Sequence, residues 1–538
     1  MKQFNSFLLT LFLVLSTSAL LQAQQRYIDE IFTDVDVTYD ITYGVNATVL
    51  YFSVVGEAVP EELKMDVYEP ANDDLEERPL IILAHTGNFL PQPDFCQVIG
   101  RRDEEFIVDM AMRLARMGYV VAVIDYRYGW NPLATAQEER VYTLINAAYR
   151  GIQDLRTCIR YFRKDAAENG NTYGVDVNRI TAMGDGTGGY ITLAAASLDD
   201  YIEIVLPKFT IEVGGIPIPM VIESINGDIY GTSTGIAPAG TSFPEGDTLC
   251  YPNHVGYDSD FHLSVNFGGA LGDTSWIDEN TVPTISFQNP YDPFAPYMED
   301  ILVVPTTGDL IVEVQGAYTV QAKMAELGLN DVFASETWID DYSAQANTRN
   351  DGFDGLFPLP YGPELNAIGD TVIVASPWHW WNPADWVGQY CAFLMPPDDP
   401  DLATYSALGD PSMTPERGQA YTDTLIAYFA PRACLALDLG CDLSDYIITN
   451  TKGDFLQKDA VGLNISPNPA TNEAVFSTFR NFPMQDVLLY DAQGRLVNNW
   501  FEINDNHFTL KRGEMPAGMY IARIRFEEGT VAAKVIFK

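Results

Sequence analysis

The chain has 538 residues, with 31 Lys and Arg against 74 Asp and Glu and a formal net charge of -43 at pH 7. That length is enough for two to four domains with a large core, and the acidic surplus argues against nucleic acid or an anionic membrane as partner. A solvated acidic surface accounts for the charge, since no D-x-D-x-D-G calcium loop is present.

The first residues combine a basic start, an apolar run from Phe7 to Leu21 and the polar stretch "QAQQ". This pattern predicts a cleaved secretory signal over residues 1–23, too short to span a bilayer comfortably. No later stretch is a candidate span, so an exported protein without a membrane span is expected. Apolar runs then alternate with helix-like segments, as in a parallel α/β sheet. "LKMDVYEP" reads as an early strand and "PLIILAHTG" (Pro79 to Gly87) as a buried one ending in a small-residue loop. "FIVDMAMRLARMG" has helical spacing with Gly118 placed to stop it, and "YVVAVIDYR" is the next central strand. A long helix is predicted over Glu138 to Asn169, then the strand "RITAM", the Gly-rich turn "GDGTGG" and the helix "YITLAAASL".

Two insertions are expected. Residues 199–261, rich in Gly, Pro, Ile and Thr, suit a lid over the core, and residues 298–368 form a less regular one. Between them "FHLSVNFGGALGD" and "VPTISFQNPYDPFAPY" read as two further strands, and "ERGQAYTDTLIAYFAPRAC" as a closing helix. Six cysteines allow three disulfides, the cheapest being a local bridge between Cys434 and Cys441. With no C-x-x-C pair and five histidines, no metal site and no cofactor is expected. Residues 446–460 form a polar connector, and residues 461–538 a compact series of short strands with Asn, Pro, Asp and Gly at the turns.

The last segment, through "ISPNPATNEAVF", "LYDAQGRLV", "PAGMYIARIRF" and the terminal "KVIFK", resembles the C-terminal sorting domain of the type IX secretion system of Bacteroidetes-type bacteria. The resemblance implies that residues 461–538 engage that secretion machinery and direct the protein to the outer cell surface or the medium. Within a domain expected over residues 24–445, the region from about Leu63 to Cys434, its two insertions apart, resembles an α/β-hydrolase of the carboxylesterase and hormone-sensitive-lipase-like type. The resemblance rests on "VIDYRYG", on "DLRTCIRYFRKDAAENGNTYGVDVNRITAMGDGTGG" and on "LAHTGNF" at the place of the oxyanion loop. The fold class it implies is α/β, a mostly parallel sheet with helices on both faces, followed by a small all-β sandwich.

In that family the elbow between strand and helix presents a nucleophilic serine, held in a strained backbone conformation. Here the position is Gly186, which adopts such a turn freely but has nothing to attack with. The resemblance places Thr86, Gly87 and the backbone N–H of Thr187 in the oxyanion hole and Asp292 at the triad acid, where an Asp before Pro293 also reads as a turn former. Setting the other four histidines aside leaves His379 in "SPWHWWNPADW", either a remnant base or a histidine filling an aromatic cluster. The literal G-x-S-x-G at Gly231–Gly235, centred on Ser233, is followed by Pro-rich sequence that starts no helix, and reads as a loop. The expectation is an exported pseudo-hydrolase that binds a small molecule, ester or glycan in its cleft, or serves as a purely structural surface protein. The alternative is an active carboxylesterase-like enzyme with an unorthodox nucleophile or an activated water.

Overall fold

The strand "RPLIILA" is buried at every position because the sheet around it is covered on both faces. The computed structural model describes residues 24–92, 96–303, 310–390, 400–448, 458, 460–491, 496–501, 503–513, 515–526 and 530–538. The signal segment 1–23 and much of the connector 446–460 lie outside the described residues. The main-sheet strands are β1 (Val35–Thr48), β2 (Val59–Pro70), β3 (Arg78–Ala84), β4 (Val120–Ile124), β5 (Val175–Asp185), β6 (Leu263–Phe267), β7 (Thr284–Gln288) and β8 (Leu356–Pro358). They lie side by side in the order β1-β2-β4-β3-β5-β6-β7-β8. β1 and β2 are antiparallel, as are β2 and β4, and every later pairing is parallel. This is the α/β-hydrolase sheet, with its crossover where β3 lies between β4 and β5.

Helices cover both faces. Leu80, Ile82 and Ala84 of β3 pack with α2 (Gln137–Glu168) and α3 (Thr187–Ser197), while Ile81 and Leu83 pack with α1 (Glu105–Arg116) and α4 (Pro415–Ala436). Each such apolar side chain contributes about 1.5–3 kcal/mol when fully buried. Gly118 follows the end of α1 with φ 108°, the conformation its place in the sequence predicts. α4 starts at Thr414, whose hydroxyl accepts from Arg417 N at 3.1 Å.

The two insertions depart from expectation. The first is fastened along α2 instead of standing over the core as a lid. Asn146 Nδ2 donates to Met220 O, Tyr149 OH to Gly227 O, and Gln153 Nε2 to Asn226 O and Asp228 O. The second contains β8, a sheet strand of three buried residues. The cysteines also differ from a three-bridge framework. Cys434–Cys441 is a disulfide and Cys96 is disulfide-bonded, but Cys158 and Cys250 are buried free thiols. Each fills core space, Cys158 against Met65 Sδ at 3.8 Å.

The chain divides into two compact units after Tyr446. In the second, Asn464–Ser466, Glu473–Ser477 and His507–Lys511 form one antiparallel sheet. Leu496–Trp500, Asp486–Asp491, Gly518–Arg525 and Thr530–Phe537 form another. Phe476 and Leu510 of the first sheet and Val487, Ile524 and Val535 of the second share one core, which makes this unit a sandwich. No helix among the described residues is long and apolar enough to cross a membrane.

Candidate functional site

β5 ends at Asp185, Gly186 makes the turn, and Thr187 begins α3. Gly186 has φ 51° and ψ -111°, a conformation that costs an L-residue about 1–3 kcal/mol. The elbow shape is therefore kept. α3 lies so close to β3 that a Cβ on Gly188 would overlap Ala84 O. A Cβ on residue 186 would itself overlap Thr86 Oγ1 and stand 2.9 Å from Thr86 Cβ. Thr86, buried in the loop after β3, thus fills the space a nucleophilic side chain would need.

The side chains and backbone around the elbow are closely packed. The Thr187 hydroxyl pairs with Tyr126 OH at 3.0 Å, and Tyr126 OH also donates to His85 O and Thr86 O. Gly87, at φ 131°, packs against Gly100. His85 is fully buried, with Nε2 bonded to Tyr128 OH at 2.9 Å and 3.6 Å from Asp125 Oδ1. Burial works against its charged form, but Asp125, joined by Glu104 and the Thr86 backbone, leaves its pKa raised.

His379 follows β8, where a hydrolase base would stand, yet its carboxylate partner is Asp185 and not the expected Asp292. Nε2 lies 2.7 Å from Asp185 Oδ2, and Trp378 Nε1 donates to Asp185 Oδ1 at 2.8 Å. Burial disfavours the imidazolium, but the adjacent Asp185 carboxylate raises the His379 pKa above its ordinary value. Asp292 follows β7, the place of the triad acid, but turns back on its own loop. Its Oδ1 accepts from Phe294 N at 2.7 Å and Ala295 N at 3.1 Å. Burial pushes its pKa up to about 7, with Asp185 adding to the rise and the two backbone N–H groups and His379 opposing it. Ser233 is outside this site: its hydroxyl accepts from Asp228 N at 2.8 Å, closing a turn in the first insertion. His254 and His262 are also engaged elsewhere, His254 with Tyr43 O and His262 with Ile180 N.

Glu104 joins the centre unannounced by the sequence. One ligand atom each from Glu104, Asp185 and His379 lie within 4.8 Å of one another, all three residues being buried. Burial raises the Glu104 pKa to about 7, with nearby Asp185 adding to the rise and His379 and His85 opposing it. The tryptophans around His379 are mostly packing. Trp378, Trp381 and Trp386 are buried, which leaves little of the cluster as a stacking surface.

Residues 65–222 match the family described as BD-FAE, and residues 464–538 match the Secretion system C-terminal sorting domain. The chain thus joins an esterase-like α/β-hydrolase domain to a type IX sorting domain. The latter implies contact with the secretion machinery and delivery to the cell surface or extracellular space. Among solved structures, the chain is similar to Thermogutta terrifontis esterase 2 phosphorylated by paraoxon. The identity is 17%, over 49% of this chain and 74% of that one, with a TM-score of 0.26. It is also similar to a bifunctional GH43-CE protein of Bacteroides eggerthii (15% identity, 50% of this chain, 32% of that one, TM-score 0.25). An inhibited esterase B from Lactobacillus rhamnosis is a third (14% identity, 50% of this chain, 59% of that one, TM-score 0.24). A search of curated proteins returns no match.

Proposed function

We propose that the hydrolase-like domain is a secreted or surface-displayed pseudo-hydrolase, which binds a small molecule, ester or glycan instead of cleaving it by serine chemistry. The observation that carries this reading is the filled elbow: Gly186 has no attacking group, and Thr86 stands where one would go. Two further features support it. The Thr187 hydroxyl is engaged by Tyr126, and His379 Nε2 is bonded to Asp185, so neither is presented as a nucleophile and base pair. The reading is tested with purified protein on short activated esters. Hydrolysis at the buffer rate is expected, and turnover abolished by His379→Ala would overturn it.

A second reading has one observation in its favour. The His379–Asp185 pair resembles a base and its orienting acid, which would activate water. His379 is 7% exposed, however, which leaves little room for a water and a substrate carbonyl together. Asp185→Asn separates the two readings, since water activation requires that carboxylate and a binding role does not.

A further inference from the structure

We propose that Glu104, Asp185 and His379 form a site for one divalent first-row transition-metal cation, with Zn2+ as the probe. The three donors come from different parts of the fold: Glu104 immediately precedes α1, Asp185 ends β5, and His379 lies between the short strand Thr371–Val372 and the helix Pro383–Trp386. Their ligand atoms lie within 4.8 Å of one another, in a region where all three residues are buried. Two carboxylates and an imidazole are the oxygen and nitrogen donors that Zn2+ and its neighbours accept.

A separate observation points to a missing ligand. Glu104 is 1% exposed, and its Oε1 is inaccessible and has no hydrogen-bond partner among the described residues. Its Oε2 is already committed, accepting from Gly100 N and from Arg101 N. That leaves Oε1 as the buried carboxylate oxygen without a hydrogen-bond partner among the described residues. Buried polar atoms are rarely left so. A cation supplies the partner, and its charge balances two carboxylates that otherwise repel each other in a dry interior.

The donors are held as metal ligands usually are. Trp378 Nε1 fixes the other oxygen of Asp185, backbone N–H groups fix the other oxygen of Glu104, and the Phe106 ring packs on His379 with centroids 5.5 Å apart. At metal–ligand distances of about 2.0–2.2 Å the His379–Asp185 hydrogen bond opens and Glu104 draws inward, shifts of about 1 Å. Bound there, the ion would tie the start of α1, the end of β5 and the segment carrying His379 together. The proposal is independent of whether esters are cleaved.

The test uses the full chain, stripped with a chelator and titrated with Zn2+ by calorimetry and with Co2+ by visible absorption. One tight equivalent is expected, distinct from weak binding to the acidic surface, and Glu104→Gln should weaken it tenfold or more. Tight binding unchanged in both Glu104→Gln and His379→Gln would overturn the proposal, as would the absence of any tight equivalent. Imidazole NMR of the unsubstituted chain reads the same site without risk to folding. Among the five histidines, the His379 signals should shift with one equivalent of Zn2+, and unmoved His379 signals would equally overturn it.

Discussion

Restoring the missing serine should cost stability before it restores chemistry. Gly186→Ser places a Cβ into Thr86 Oγ1 and 2.9 Å from Thr86 Cβ, at φ 51° and ψ -111°. The backbone conformation accounts for about 1–3 kcal/mol, and the overlap for a further ~1–3 kcal/mol. Thr86→Gly removes both overlapping atoms and leaves Thr86 Cα at 3.8 Å, so the overlap part alone should vanish in the double variant. A double-mutant cycle by urea denaturation should therefore give a favourable coupling of about 1–3 kcal/mol. Tryptophan fluorescence reports the hydrolase unit, since Trp500 is the sole tryptophan after Tyr446. Gly186→Ser at full stability with a coupling near zero would refute the claim that Thr86 occupies the nucleophile's space. Gly186→Ser alone should also hydrolyse no activated ester.

Asp292 supplies a pH prediction. Its folded pKa of about 7 lies above the ordinary 3.8, so the native state holds the extra proton between those values. Its contribution to stability is then present at low pH and lost as pH rises toward 7. Between pH 5 and 8, thermal and urea denaturation should show wild type losing about 3 kcal/mol more than Asp292→Asn, whose amide oxygen still accepts from Phe294 N and Ala295 N. Equal pH slopes would contradict this. Arg127 and Asp154 form a fully buried pair at 2.9 Å. Asp154→Ala should cost about 3–5 kcal/mol by stranding the guanidinium, and a paired Arg127→Met with Asp154→Leu should recover most of it. Cys434 and Cys441 are 7 apart in sequence, so converting both to Ser should destabilise the hydrolase unit by about 2–3 kcal/mol in denaturant melts.

Much of the fold is legible because the strands are buried on both faces. "PLIILA" and "VVAVI" are continuous apolar runs, and only a parallel sheet between helix layers covers both sides of each. β8 is not legible: three residues ending in Pro358 carry no periodicity, and their strand character comes from pairing with β7. The first insertion misleads for a related reason. Its Gly and Pro content signals loops, while its attachment to α2 is made by backbone carbonyls that the sequence does not distinguish.

The elbow can be read from "GDGTGG", because glycines at fixed spacing report close backbone approach. The partner of His379 cannot. Asp185 and His379 are 194 residues apart, and Asp292 occupies the customary acid position, so only the folded loop shows which carboxylate meets the ring. Glu104 sits in "RRDEEFIV", where it reads as one surface acid among several until the start of α1 turns it inward.

The most direct test of the central claim is an intact-mass measurement after exposure to a fluorophosphonate, which reacts with the activated nucleophile of a serine hydrolase. The unsubstituted protein should keep its mass, with no adduct at Thr187, Ser233 or elsewhere in the hydrolase unit. A single stoichiometric adduct, lost on denaturation before labelling, would show that an activated nucleophile exists and would contradict the account.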